Sequence, residues 1–138
     1  MDIDARGPRF GAAVTTVVLA VALITRSPWL LAWQTLAFAL GAAGGVGRSP
    51  YGWAFRVAVR PKLGPPTAFE APQPPRFAQA VGLVFAVLGL IGFALGPEWL
   101  GLAATGAALA AAFLNAAFGY CLGCEMYLLV RRVTVRAE

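Results

Sequence analysis

Long apolar runs separated by polar breaks dominate the hydrophobic pattern of this chain. The first three runs cover residues 10–25, 29–46 and 77–95, and the fourth starts near Trp99 and stays mostly apolar to Val130, with a predicted span over 99–119. A helix needs about 20 apolar residues to cross a hydrocarbon core about 30 Å thick; the first three runs match or approach that length, and the fourth exceeds it. The pattern therefore predicts an all-α integral membrane protein with four transmembrane helices, forming a single domain over residues 1–138.

The fourth apolar run continues well beyond the length of one span. Gly119 and Gly123 lie where a span of about 20 residues starting at Trp99 would end, and glycine is common at helix ends. We therefore predict that the fourth helix breaks near these glycines and that a short C-terminal helix covers about residues 121–133. The alternative is an unbroken helix to Arg131, which would keep this region inside the membrane.

One long loop, residues 47–76, separates the second and third runs. Its first half, RSPYGWAFRVAVRPK, mixes aromatic, aliphatic and basic residues, which predicts a short interfacial helix on the membrane surface. Its second half contains six prolines between residues 61 and 75, so we expect an extended segment there. This segment is interpreted in two ways. It is either a tether between two spans or a flap over the end of the bundle where residues 121–124 lie.

Basic residues mark one side of the predicted bundle. Ten of the eleven Lys and Arg residues fall in the N-terminal tail, the long loop and the C-terminal tail, and only Arg26 lies in a connection on the other side. Cytoplasmic loops carry an excess of Lys and Arg, so both termini and the long loop are predicted to be cytoplasmic. This placement accounts for the net charge of +5 without a nucleic-acid ligand. The residues expected at the membrane interfaces are Trp29, Trp53, Arg56, Arg60, Trp99, Arg131 and Arg132.

The residues that carry reactive chemistry are few. The chain has no histidine, which excludes Ser-His-Asp catalysis and histidine-bound zinc or haem. Its two cysteines, Cys121 and Cys124, form a C-x-x-C pair at the predicted helix break, and Glu125 is the acidic residue next to them. Such a pair can close a reducible disulfide, and its thiolate is the reactive form. One pair supplies too few ligands for structural zinc, so neither a metal nor a cofactor is predicted.

Cys121 and Cys124 are interpreted in two ways. As a functional dithiol they lie at the N-terminus of the C-terminal helix, whose dipole favours the thiolate, and the reducing cytosol keeps them as thiols rather than a structural disulfide. As small apolar residues they are inert, since positions i and i+3 share a helix face by default. Glu125 is either a general acid or base for Cys124 or a charge paired with an arginine such as Arg132.

Two amides, Gln34 and Asn115, are predicted inside the membrane. A polar side chain in lipid needs a partner, and Gln34 is a candidate partner for Asn115. Small residues crowd the segments GAAGGVG (41–47) and LGLAATGAALAAAF (100–113). They favour close helix packing within the bundle, with a homo-oligomer face as the alternative.

The chain resembles a family of small bacterial membrane proteins that carries only a domain-of-unknown-function label. The resemblance rests on DARGPRFGA (4–12), SPYG and RPKLG in the loop, PPRFAQAVGLVF (74–85) and FGYCLGC (118–124). It implies four spans in the bacterial inner (cytoplasmic) membrane, with Cys121 and Cys124 as the functional pair. Members of that family are often encoded beside thioredoxin-like or rhodanese-like proteins, so the resemblance implies thiol or sulfur chemistry.

We therefore expect a membrane-embedded thiol or sulfur-handling protein. Its cysteine pair would exchange disulfides with, or accept sulfane sulfur from, a cytosolic thioredoxin-like or rhodanese-like partner. The alternatives are an oligomeric permease or channel subunit for a reduced sulfur compound, a quinone-linked dithiol oxidoreductase, and a structural subunit with inert cysteines. The expected partners are the lipid bilayer, the cytosolic protein and, in the oligomeric alternative, further copies of the chain.

Overall fold

The computed structural model describes residues 3–66 and 68–137, so Met1, Asp2, Thr67 and Glu138 lie outside the described residues. Three of the helices in the described part are long and apolar enough to cross a membrane, namely Arg6–Thr25, Gln73–Leu95 and Glu98–Phe118. The predicted all-α class is therefore confirmed, and the apolar helices indicate contact with a lipid bilayer. The α-helices in this part of the chain are α1 Arg6–Thr25, α2 Pro28–Gly44, α3 Pro50–Ala54, α4 Gln73–Leu95, α5 Glu98–Phe118 and α6 Leu122–Ala137.

Two helices begin earlier than the apolar runs suggest. α4 starts at Gln73 and contains Pro74 and Pro75 in its first turn, so the prediction that the whole proline-rich stretch is extended was wrong at its end. α1 likewise starts at Arg6 and contains Pro8. The first N–H groups of a helix have no acceptor within the helix, so proline is tolerated in the first turn.

Helices α1, α2, α4 and α5 form a four-helix bundle. α2 and α5 each pack against both α1 and α4, so α2 and α5 lie on opposite corners. The buried side chains of Leu19, Ala22, Leu31 and Ala108 form a continuous apolar cluster that joins α1, α2 and α5. This arrangement decides which polar side chains can meet inside the bundle.

Glycines allow α4 and α5 to cross in direct contact near the turn that joins them. A Cβ atom at Gly92 would collide with the backbone of Gly101, and a Cβ atom at Gly101 would lie 2.5 Å from the Phe93 ring. A larger residue at either position would separate the helices. This crossing is an instance of the close packing that the small residues of 100–113 predict.

The N-terminal tail and the long loop meet at one end of the bundle, called the loop end. There Ile3–Asp4 (β1) pairs antiparallel with Phe69–Glu70 (β2), a two-residue pairing that the apolar pattern did not indicate. The Asp4 carboxylate accepts hydrogen bonds from Arg6 Nε at 3.1 Å and Arg6 Nη2 at 2.8 Å. These bonds hold the pKa of Asp4 below its ordinary value.

The opposite end of the bundle, called the turn end, carries the short connections after α1 and α4. Arg26 Nη1 lies 2.9 Å from Glu98 Oε1, so the two connections are neighbours. Trp29 and Trp99 are both largely exposed at this end. Exposed tryptophans next to a short polar turn are typical of a membrane interface.

The first half of the long loop is helical. α3 continues directly into the π-helical turn Phe55–Val59 and the 3-10 turn Arg60–Lys62. Phe55 is buried, and its ring centroid lies 5.8 Å from that of Phe10. This segment therefore packs along the first half of α1. Trp53, which belongs to the same segment, is exposed.

Hydrogen bonds tie the loop to the middle of the bundle. The Tyr51 hydroxyl donates to Gln34 Oε1 at 2.6 Å and accepts from Trp33 Nε1 at 2.9 Å, and Gln34 Nε2 donates to Thr15 Oγ1 at 3.4 Å. Gln34 is fully buried, so these bonds satisfy its amide. The suggested pairing of Gln34 with Asn115 was wrong, because α2 and α5 occupy opposite corners of the bundle.

Candidate functional site

The break between α5 and α6 sets the position of the two cysteines. α5 ends at Phe118 because Gly119 adopts the left-handed conformation, with φ of 70°. The Gly119 N–H donates to the carbonyl of Asn115 at 2.9 Å, and the Tyr120 N–H donates to that of Leu114 at 3.3 Å. This is a glycine C-cap, and the chain then turns before α6 begins. The helix therefore ends beside the cysteines, where the glycines indicated a break.

Cys121 immediately precedes α6, and Cys124 lies in its first turn. The Cα atoms are 5.1 Å apart, within the usual range for a bridged pair, and the two sulfurs form a disulfide. The structure therefore contains a disulfide and not the dithiol that we expected. The reason is that the turn at the start of α6 brings the two cysteine side chains together. The Cys124 N–H donates to Cys121 Sγ at 3.1 Å, so this sulfur occupies the position of a helix N-cap acceptor.

Gly123, between the two cysteines, is the point at which α6 contacts α4. A Cβ atom at Gly123 would lie 2.5 Å from Ala78 Cβ and 2.6 Å from Ala78 Cα. One turn further along α6, the ring centroid of Tyr127 lies 5.7 Å from that of Phe77. These contacts fix the disulfide against the first turns of α4.

A cavity of about 480 Å³ extends from the disulfide into the bundle. Both cysteines line it at the loop end, and Phe38 and Phe85 line it deeper between the helices. Its volume lies within the range of about 300–1,000 Å³ that is typical of small-molecule sites. Much of the wall is formed by small residues of α5 at positions 107, 108, 111 and 112.

Polar side chains reach the cavity wall at three positions away from the cysteines and Arg9. Thr15 Oγ1 already accepts a hydrogen bond from Gln34. Gln79 of α4 and Asn115 of α5 also line the cavity. Within residues 3–66 and 68–137, the hydrogen bonds include none from the side-chain amide of either residue. The amide of Gln79 packs against Gly41 of α2, where an added Cβ atom would lie 2.5 Å from Gln79 Oε1. The amide of Asn115 is therefore the better placed of the two to bind a molecule in the cavity.

Two arginines close helix ends at the loop end. Arg9 donates from Nε and Nη2 to the carbonyls of residues 116–117, both at 3.2 Å. Arg76 donates from Nε and Nη2 to the carbonyls of residues 42–43, at 2.7 and 2.5 Å. A guanidinium at a helix C-terminus satisfies free carbonyls and complements the helix dipole. Arg9 also lines the cavity, and two of its N–H groups bond the end of α5.

Glu125, the third candidate of the sequence analysis, does not line the cavity. Its side chain is exposed, and no ion pair with Arg132 occurs among the described residues. The remaining interface candidates at the loop end, Arg56, Arg60, Arg131 and Arg132, are all exposed. In the part of the chain that the structure describes, no group of three or more Cys, Asp or Glu could share a metal ion.

The long loop does not cover the cysteines. Its described helical turns contact α1, α2 and α4, and its residues before Pro72 do not line the cavity. The interpretation of the loop as a flap over the cysteine end of the bundle was therefore wrong for the described residues. The reason is that Tyr51 and Phe55 anchor the loop along α1, on the α2 side of the bundle.

The fold and the site together define a class of small helical membrane protein in which a C-x-x-C disulfide adjoins a cavity in a four-helix bundle. A family model described as a domain of unknown function (DUF4395) matches residues 3–132, almost the whole chain. The chain therefore belongs to this family, which confirms the resemblance to a domain-of-unknown-function family. No curated protein and no solved structure matches the chain.

Proposed function

We propose that this chain is a membrane-embedded thiol–disulfide oxidoreductase that exchanges electrons with a cytosolic thioredoxin-like protein. The observation that carries the proposal is the Cys121–Cys124 disulfide at a helix N-terminus, half-buried at the loop end and beside a cavity. A cysteine pair used only for packing needs neither a position at a helix N-terminus nor an adjoining cavity.

The exchange itself requires only the two cysteines and a partner dithiol. A partner thiolate attacks one sulfur of the disulfide and forms a mixed disulfide, while the other sulfur leaves as a thiolate. The second partner thiol then attacks the mixed disulfide, which releases an oxidised partner and the reduced pair. Two electrons pass from the partner to the cysteine pair in each cycle.

Cys121 is the cysteine whose thiolate this geometry stabilises better. Its sulfur already accepts the Cys124 N–H at 3.1 Å and lies at the N-terminus of α6. A hydrogen bond to an anionic acceptor is stronger than one to a neutral acceptor, and the helix dipole adds to it. We therefore assign Cys121 as the more reactive sulfur of the reduced protein.

The proposed topology has four spans, with α2 as the fourth and both termini in the cytoplasm. α2 has 17 residues, which gives a length of about 26 Å, close to the thickness of a hydrocarbon core. Its exposed face carries Leu36 and Leu40, as expected for contact with lipid. Ten of the eleven basic residues belong to segments at the loop end, which favours the cytoplasmic side of the inner membrane for this end.

Electron exchange with reduced thioredoxin as the probe tests the function. Wild-type protein in detergent should accept two electrons per chain, measured as two new thiols that react with a maleimide mass tag. Cys121→Ser and Cys124→Ser variants should accept none. Transfer to both variants, or no transfer to the wild type, would overturn the proposal.

Topology is tested separately in sealed membrane vesicles after mild reduction. A membrane-impermeant maleimide should label Cys121 from the cytoplasmic side and not from the other side. Labelling from the opposite side would place the loop end outside the cytoplasm and exclude a cytosolic partner.

A further inference from the structure

We propose that the cavity beside the disulfide binds a quinone-class molecule, which accepts the two electrons of the reduced cysteine pair. This inference rests on the proposed function, because it concerns how the disulfide is restored after each exchange. The cavity has about 480 Å³ of space, and both cysteines lie on its wall. A ligand inside it would therefore be in direct reach of the sulfur atoms.

The lining of the cavity selects a neutral and mostly apolar ligand. Apart from Arg9, the lining residues carry no charged side chain, and Arg9 Nε and Nη2 donate to the carbonyls of residues 116–117. A cationic ligand would lose its hydration here without a counter-charge, at a large cost in free energy. The mostly apolar wall therefore favours an apolar molecule with few polar atoms, and Arg9 is the one charged group that such a molecule would meet.

Asn115 supplies the main polar contact that a quinone needs, and Gln79, whose amide oxygen packs against Gly41 of α2, supplies a second contact through its N–H groups. Gln79 directly follows Ala78, the residue against which Gly123 packs, and Asn115 lies in the last turn of α5. Each amide has two N–H donors and a carbonyl acceptor. A side-chain amide can therefore donate to the oxygen of a quinone and accept from the hydroxyl of a hydroquinone, so it fits both redox states.

The redox step balances with a quinone as the oxidant. The two S–H bonds of Cys121 and Cys124 break and one S–S bond forms, which releases two electrons and two protons. The quinone takes up both electrons and both protons, and two O–H bonds form on its oxygens. The products are the disulfide that the structure contains and one hydroquinone.

The experiment uses the full chain in detergent, reduced beforehand and freed of reductant, with a short-chain ubiquinone as the probe under anaerobic conditions. We expect one quinone to be reduced per chain, with simultaneous loss of two maleimide-reactive thiols. Gln79→Leu and Asn115→Leu should each slow this step by about tenfold or more, the loss expected for one hydrogen bond to the ligand. Gln73→Leu, the same change at an exposed position of α4 outside the cavity, should not slow it.

Exchange with reduced thioredoxin is measured on the same variants, so that folding and the proposed function are checked independently. Normal exchange together with slow quinone reduction in the two cavity variants would support the inference. Normal exchange in the wild type without any oxidation by quinone would overturn the inference and leave the function standing. Loss of exchange in the wild type would overturn the function and this inference with it.

Discussion

The contact between Gly123 and Ala78 gives the sharpest structural prediction. Gly123→Ala places one methyl group between α6 and α4, at the residue that separates the two cysteines. The added carbon would lie 2.5 Å from Ala78 Cβ and 2.6 Å from Ala78 Cα. Neither atom belongs to a flexible side chain, so the helices themselves would have to move.

The size of the effect follows from these distances. Carbon atoms in contact prefer separations of about 3.5–4.0 Å, so α6 and α4 would have to separate by at least about 1 Å at this point. Overpacking of this kind costs about 1–3 kcal/mol. Because the disulfide adjoins this contact, the same shift should change the rate of exchange with thioredoxin.

Thermal unfolding in detergent and the exchange rate measure the two consequences. Gly123→Ala should lower the free energy of unfolding by about 1–3 kcal/mol. The loss should be smaller when Gly123→Ala is made in an Ala78→Gly background and compared with that background, because it lacks the Ala78 Cβ but keeps the Cα. Gly106→Ala is the control, since a Cβ at Gly106 meets no atom within 4 Å and alanine favours the helix. A Gly123→Ala protein with wild-type stability and wild-type exchange would refute the packing of α6 on α4.

Three further predictions concern the rest of the fold. Gly92→Ala should destabilise the protein more than Gly106→Ala, because its added Cβ would meet the backbone of α5. Equal melting temperatures for the two variants would contradict the close crossing of α4 and α5. Tyr51→Phe removes a donor to the buried amide of α2 and should cost about 1–3 kcal/mol of unfolding free energy, whereas an unchanged melting curve would show that this hydrogen bond is absent. Arg6 holds the pKa of Asp4 below its ordinary value of 3.8, so the ionised carboxylate stabilises the fold above about that pH. This stabilisation is lost as the pH falls through the lower pKa of Asp4 in the folded protein. Asp4→Asn should therefore remove part of the acid sensitivity of the loop end, measured by protease cleavage of the loop, and an identical pH profile for both proteins would refute the role of this ion pair.

The helices could be predicted from the sequence because their signals are local. Apolar runs of span length mark α1, α4 and α5, and Gly119 marks the end of α5 through its left-handed backbone. The start of α4 was missed because Pro74 and Pro75 are helix breakers in most positions but not in a first turn.

The features that depend on helix neighbours could not be predicted in the same way. Gln34 bonds Thr15 and Tyr51 because α2 packs between α1 and α4. The sequence of α2 alone does not indicate which helices lie beside it. The cavity is a further example. The same kind of small residue allows close contact at Gly101 and lines the cavity at Ala108 and Ala111. Gln79 was missed for this reason, because only the cavity distinguishes it from other polar residues.

The proposed function requires that Cys121 and Cys124 form a redox-active pair open to a partner's thiols. The decisive measurement is a redox titration of the folded chain, with free thiols counted by a maleimide mass tag across glutathione and dithiothreitol buffers. We expect a reversible two-electron transition above about −300 mV, reached from the oxidised and from the reduced side, and absent in Cys121→Ser. A disulfide that stays closed below about −300 mV, or that reacts only after unfolding, would be structural and would rule out a redox-active pair.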